Sequence, residues 1–109
     1  MSTISTHVLD TSRGLPAAGI KITLQRGDEI IGSGVTDNDG RVKDFLANGQ
    51  RLGIGLHKLV FEVGRYLSSG GGEAFYERIT VEFVVSSESD HYHVPLLLSP
   101  FGYSTYRGS

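Results

Sequence analysis

Residues 20–29 read IKITLQRGDE. Ile20, Ile22 and Leu24 alternate with Lys21, Thr23 and Gln25, which makes one side of an extended chain apolar and the other polar. The stretch predicts a half-buried strand ending at the turn Arg26-Gly27-Asp28-Glu29. The same period of two continues outward in both directions. A strand is predicted from Glu29 to Thr36, weakened by Gly32 and Gly34. Between Leu56 and Val63, His57, Leu59, Phe61 and Val63 share one face; Leu56, Lys58, Val60 and Glu62 share the other. Ile79, Val81, Phe83 and Val85 alternate with Thr80, Glu82 and Val84. His91 to Leu98 and roughly Gly102 to Tyr106 form a final pair around Ser99-Pro100-Phe101, and ISTHVLD at 4–10 reads as a short strand. Pro95 cannot donate to a ladder and marks an edge or a bulge. A helix is predicted only at Val63 to Ser69, stopped by Gly70-Gly71-Gly72. With fifteen glycines spread over many short strands, the expected fold is all-β, an antiparallel Greek-key sandwich.

At 109 residues the chain fits one domain over 1–109, large enough to bury roughly 60–70% of its unfolded surface. Ten Lys+Arg against twelve Asp+Glu give a net charge of −2, with no basic stripe to attract nucleic acid. No apolar run approaches the ~20 residues of a membrane helix, so no membrane is expected as a partner. The absence of cysteine removes disulfides and thiolate metal sites and favours a reducing compartment. The opening residues lack a secretory pattern. A cytoplasmic protein is expected.

A small sandwich fills its interior with side chains, so a site must lie on loops, at strand ends or between subunits. Four features carry chemistry. His7 sits in the first short strand, where a plain surface histidine is the competing reading. The TDNDGR turn has carboxylates, but a calcium loop in that frame would begin at Val35 and lacks its closing glutamate. The turn explains Asp37 to Gly40 by itself and leaves Arg41 just beyond it, with donors suited to an anion or carbonyl. His91 and His93 share a strand face; zinc there would need a third ligand from His7, His57 or a carboxylate, and a structural pair is the alternative. Last, the chain closes on Tyr106-Arg107-Gly108-Ser109, an unusual composition for a frayed tail.

Taken together, THVLDTSRGLPAAGI, TDNDGR and YHVPLLLSPFGYSTYRGS resemble the transthyretin family, and within it the branch of 5-hydroxyisourate hydrolases. The resemblance covers nearly the whole chain. It implies a transthyretin-like β-sandwich of about eight strands with one short helix, assembled as a homotetramer (a dimer of dimers) with active sites at the dimer–dimer interface. It implies catalytic roles for His7, Arg41, His93 and Ser109, and substrate binding by His7, Arg41, Tyr106, Arg107 and Gly108. His91 and His57 have no counterpart in that set. The hormone-carrying branch has lysine and threonine where His7 and His93 stand and lacks the Tyr-Arg-Gly-Ser ending. Many relatives carry proline in place of Glu77, a departure expected to affect a turn.

The implied reaction opens the N1–C6 cyclic amide of 5-hydroxyisourate, the product of urate oxidation, to 2-oxo-4-hydroxy-4-carboxy-5-ureidoimidazoline, with no cofactor. It needs an activated water, stabilisation of a growing oxyanion and a grip on a flat polar ring. Imidazole, with a pKa of about 6.5, suits the first task, and one of His7 and His93 is the expected base. Arg41 suits the second. Gly108 allows close approach of the backbone, while Ser109 offers a hydroxyl and Tyr106 and Arg107 anchor the tail across a subunit boundary. The competing readings are a carrier of a small aromatic ligand in the inter-dimer channel and a zinc site on His7, His91 and His93.

Overall fold

The structure, a computed structural model, describes residues 2–109. Along the chain come β1 (Thr3–Asp10), β2 (Leu15–Pro16), β3 (Lys21–Arg26), β4 (Glu29–Val35), β5 (Arg41–Val42) and β6 (Gly55–Glu62). A one-helix interlude, α1 (Gly64–Ser69), precedes β7 (Arg78–Val85), β8 (His91–His93), β9 (Leu96–Ser99) and β10 (Gly102–Thr105). β2 and β5 are two residues long; the other eight fall on the seven predicted strand segments, one of which is divided into β8 and β9.

Four strands form one sheet in the order β4-β3-β6-β7, antiparallel throughout. The register sets Ile22 opposite Phe61 and Leu24 opposite Leu59, and Phe61 opposite Ile79. These side chains face inward and are almost wholly buried, each worth roughly 1.5–3 kcal/mol relative to exposure. The alternation holds less well along β7, where Val81 and Phe83 are only half-buried. β7 is an edge strand, with a neighbour on one side alone.

The second sheet is built around β1. On one side β1 pairs with β5 and β2; on the other its first half pairs with β8 and its second half with β9, which continues to β10. Two expectations are corrected here. The pairings of β1 with β8 and β9 are parallel, so this sheet is mixed. Parallel neighbours require a long crossover, and here the whole other sheet lies between them in the chain. The strand predicted from His91 to Leu98 is divided at Val94-Pro95. Pro95 has no N–H to offer, and the gap is closed by side chains: Thr6 Oγ1 donates to Val94 O at 2.5 Å, and Thr105 Oγ1 donates to Pro95 O at 2.7 Å.

Glu77 contributes its main-chain carbonyl to the turn, accepting the N–H groups of Val63 and Gly64. A proline keeps that carbonyl, which accounts for either residue serving there.

Candidate active site

Along β1 the residues at even positions, Ile4, Thr6, Val8 and Asp10, are buried, while Ser5 and His7 are half-buried and Thr3 is exposed. Thr3, Ser5 and His7 therefore lie on the outer face of the sheet. The strand registers bring the other candidates to that face. His7 is the direct partner of Arg41 across β1 and β5, a relation that holds Cβ atoms about 4.5–5.5 Å apart. Ser5 is the partner of His93, and Thr3 of His91, across β1 and β8. Residues from the two ends of the chain and from its first half thus meet on one open surface.

Arg41 is set in place by its turn. Asp37 Oδ1 accepts the N–H groups of Asp39 and Arg41 at 2.9 and 3.0 Å, an Asx arrangement typical of aspartate in turns. Gly40 closes the loop with φ 75°, a left-handed conformation natural to glycine. A Cβ there would also stand 2.4 Å from the carbonyl oxygen of Val8, the residue after His7. The turn is thereby seated directly on β1. The ion pairs among the described residues are Arg26–Glu29 and Arg107–Asp90, so no carboxylate occupies the Arg41 guanidinium.

His93 is the most constrained of the imidazoles on this face. Ser5 Oγ lies 2.8 Å from His93 Nδ1 and 2.8 Å from His91 Nε2, and Thr3 Oγ1 lies 2.5 Å from His91 Nδ1. Nε2 of His93 has no hydrogen-bond partner among the described residues. Burial, followed by the charges of Arg41, His91 and His7, holds the His93 pKa below its ordinary value. The neutral, proton-accepting ring is favoured.

The closing residues are a paired segment. Gly108 forms an antiparallel bridge with His93, its N–H donating to His93 O at 2.7 Å. A Cβ on residue 108 would approach His93 Cδ2 to 2.5 Å, so glycine lets the tail lie against the imidazole. One residue earlier, the Arg107 guanidinium stacks 4.6 Å from the centre of the Tyr92 ring and pairs with Asp90 at 3.6 Å. Tyr92 in turn is buried, its hydroxyl accepting the N–H groups of Ser86 and Ser87.

The structure therefore gathers His7, Arg41, His93 and Gly108, with Ser109 one residue further along. Tyr106 and Arg107 are placed differently: they line an apolar concavity of about 250 Å³ with Val81, Phe83 and Val94, at the edge beside β7. Arg107 anchors the tail within its own chain. His57 is fully buried beneath the other sheet's loop, its ring nitrogens against the carbonyls of Gly55 and Leu52. Among the described residues no cluster of three or more metal-ligating side chains is assembled, and both nitrogens of His91 face hydroxyls. Ser5 and Thr3 are residues of this face that the sequence reading did not select, and His91 is one that it paired with His93 but left outside the hydrolase set. Ser5 stands two positions before His7, on the same strand face, but its partnership with His93 depends on a parallel pairing that no local pattern announces.

A two-sheet β-sandwich of this strand order with one short helix is the fold of the transthyretin class of proteins. The model of the HIUase/Transthyretin family matches residues 4–108, and the chain belongs to that family. It is 47% identical to 5-hydroxyisourate hydrolase 2 of Rhizobium meliloti over 114 residues, covering 97% of this chain and 95% of the relative. The structure of Klebsiella pneumoniae 5-hydroxyisourate hydrolase superposes with a TM-score of 0.88 at 39% identity, each chain covered in full. Sea bream transthyretin in complex with thyroxine superposes with a TM-score of 0.85 at 30% identity, covering 96% of this chain and 93% of that one. Among the described residues no helix is long and apolar enough to cross a membrane.

Proposed function

We propose that this chain is a 5-hydroxyisourate hydrolase, opening the N1–C6 cyclic amide of that compound to 2-oxo-4-hydroxy-4-carboxy-5-ureidoimidazoline. The observation that carries the reading is the meeting of His7, Arg41 and His93 on one outer sheet face, in a chain alike over its length to hydrolases of that name. A carrier of an apolar aromatic ligand has no use for two imidazoles and an unpaired guanidinium; a hydrated, carbonyl-rich ring does.

In this reading His93 is the general base. Its lowered pKa keeps it neutral near physiological pH, and Nε2 is the nitrogen left to take a proton from water. The activated water adds to C6, and the negative charge that grows on the carbonyl oxygen is met by Arg41. Collapse expels N1, which receives a proton. His7, directly opposite Arg41, orients the ring. Gly108 and Ser109 form a wall beside His93, the glycine by admitting the backbone and the serine by its hydroxyl. Tyr106 and Arg107 act on substrate indirectly, through the anchored tail.

The face that bears these groups is open in the single chain, and a ring gripped on one side only would remain in water. We place the complete cleft between copies, in a homotetramer whose dimers meet across this face.

The test uses 5-hydroxyisourate generated in situ from urate and followed by absorbance, with spontaneous decay subtracted. Addition of the protein is expected to accelerate decay and to replace a racemic product by one enantiomer. His93→Asn is expected to lower kcat by about 10²–10⁴-fold while the far-UV spectrum stays unchanged. Decay at the spontaneous rate in the presence of folded wild-type protein would refute the reading.

A further inference from the structure

We propose that Ser5 and His91 form a proton relay with His93, in which Ser5 is a positioning residue that dictates which nitrogen of His93 carries the proton. The proposal rests on the hydrolase reading for its chemistry, and on geometry for its existence.

The contacts form a continuous line: His93 Nδ1, Ser5 Oγ, His91 Nε2, His91 Nδ1, Thr3 Oγ1. Each neutral imidazole has one N–H and one lone pair, and each hydroxyl has one proton to donate. With the Ser5 proton spent inside the line, two self-consistent orders exist; in a third arrangement Ser5 accepts from both rings, which again leaves the His93 proton on Nδ1. In the first, His93 Nδ1–H donates to Ser5, Ser5 O–H donates to His91 Nε2, and His91 Nδ1–H donates to Thr3. In the second every bond is reversed, and His93 carries its proton on Nε2. The first order leaves Nε2 as a base. The second makes it an acid.

The line therefore supplies both states that amide hydrolysis needs. A proton taken from water at Nε2 makes His93 an imidazolium as the water oxygen bonds to C6. The Nδ1 proton passes to Ser5 as the original Ser5 proton passes to His91 Nε2. His93 is then neutral with N–H at Nε2, and the positive charge resides on His91. When the C6–N1 bond breaks, Nε2–H protonates N1 and the two relay protons return. No proton is lost and no other reactant is required. His91 stands opposite Thr3, toward the start of β1, while Arg41 stands opposite His7, so the transient charge is moved away from Arg41 and His7.

The experiment pairs nitrogen NMR of the histidine rings with steady-state kinetics, in wild type, Ser5→Ala, Ser5→Thr and His91→Asn. Wild-type His93 is expected as the Nδ1–H tautomer. Ser5→Ala is expected to convert it largely to Nε2–H and to lower kcat at least about tenfold, as loss of acid–base positioning does, with KM little changed. Ser5→Thr keeps the hydroxyl and is expected to restore both tautomer and rate; His91→Asn keeps the fold and is expected to lower kcat. A His93 tautomer unchanged in Ser5→Ala, or a kcat within twofold of wild type, overturns the relay. Should the wild type itself fail to turn over 5-hydroxyisourate, the hydrolase reading falls, and the tautomer in Ser5→Ala still decides whether Ser5 sets the state of His93.

Discussion

Gly108 and His93 share a backbone bridge and leave no room for a methyl group between them, since a Cβ at 108 would sit 2.5 Å from His93 Cδ2. Gly108→Ala must therefore push the imidazole or the tail aside. A displacement near 1 Å at a reacting group can cost about 10²-fold in rate, so Gly108→Ala is expected to lower kcat by roughly that factor, with the melting temperature nearly unchanged. Kinetics and a thermal melt on one sample check it; a fully active variant contradicts the packing. The protonation of His93 gives a second outcome. Burial, then the Arg41 guanidinium and the neighbouring His91 and His7 rings, lower its pKa. The acid limb of kcat/KM is expected below the ordinary histidine value of about 6.5, and Arg41→Gln is expected to move it upward by removing one cation. The linkage to stability has the same direction. Between the lowered folded pKa and the ordinary value the unfolded chain binds more protons, so this contribution is present in full above the ordinary value and is lost as pH falls through the folded one.

Among the elements, β1 and the closing segment do most to shape the site. Alternation in ISTHVLD was enough to place His7 on a strand, and TDNDGR was enough to place Arg41 beyond a turn. Local patterns did not reveal that β1 runs parallel to β8, because pairing across so many intervening residues leaves no mark in either strand. Ser5 was missed for that reason; His91 was paired with His93 on one strand face, but its link to Ser5 was not visible. Pro95 was legible as an edge or a bulge, since proline cannot join a ladder; the full division of the strand there, and the side chains that bridge it, Thr6 and Thr105, were not. Arg107 holds the tail down through Tyr92 and Asp90. Removing residues 107–109 is expected to abolish turnover while leaving both sheets intact, as read by circular dichroism and the urate-coupled assay. Full activity in the truncated protein would reduce the segment to a tail.

At the scale of the molecule, the sandwich supplies a sheet whose outer face carries the proposed site while its inner face carries the core. Period-two patterning exposed the core clearly: Ile22, Leu24, Leu59 and Phe61 are all fully buried. The same patterning could not show that the polar side of β1 is a site, because a solvated face and a cleft between copies look identical in one chain. The proposed assembly has a measurable consequence. Activity per chain is expected to fall on dilution in step with dissociation of the tetramer followed by sedimentation; constant specific activity in fully monomeric protein would contradict a shared cleft. The convergence itself is tested by a crystal structure of the assembled protein with a stable, unhydrolysable analogue of the purine-derived ring. The ring is expected within hydrogen-bonding distance of Arg41, His7 and His93, with one edge against Gly108. A ring seated instead in the apolar concavity beside Tyr106, with those three side chains untouched, would contradict it.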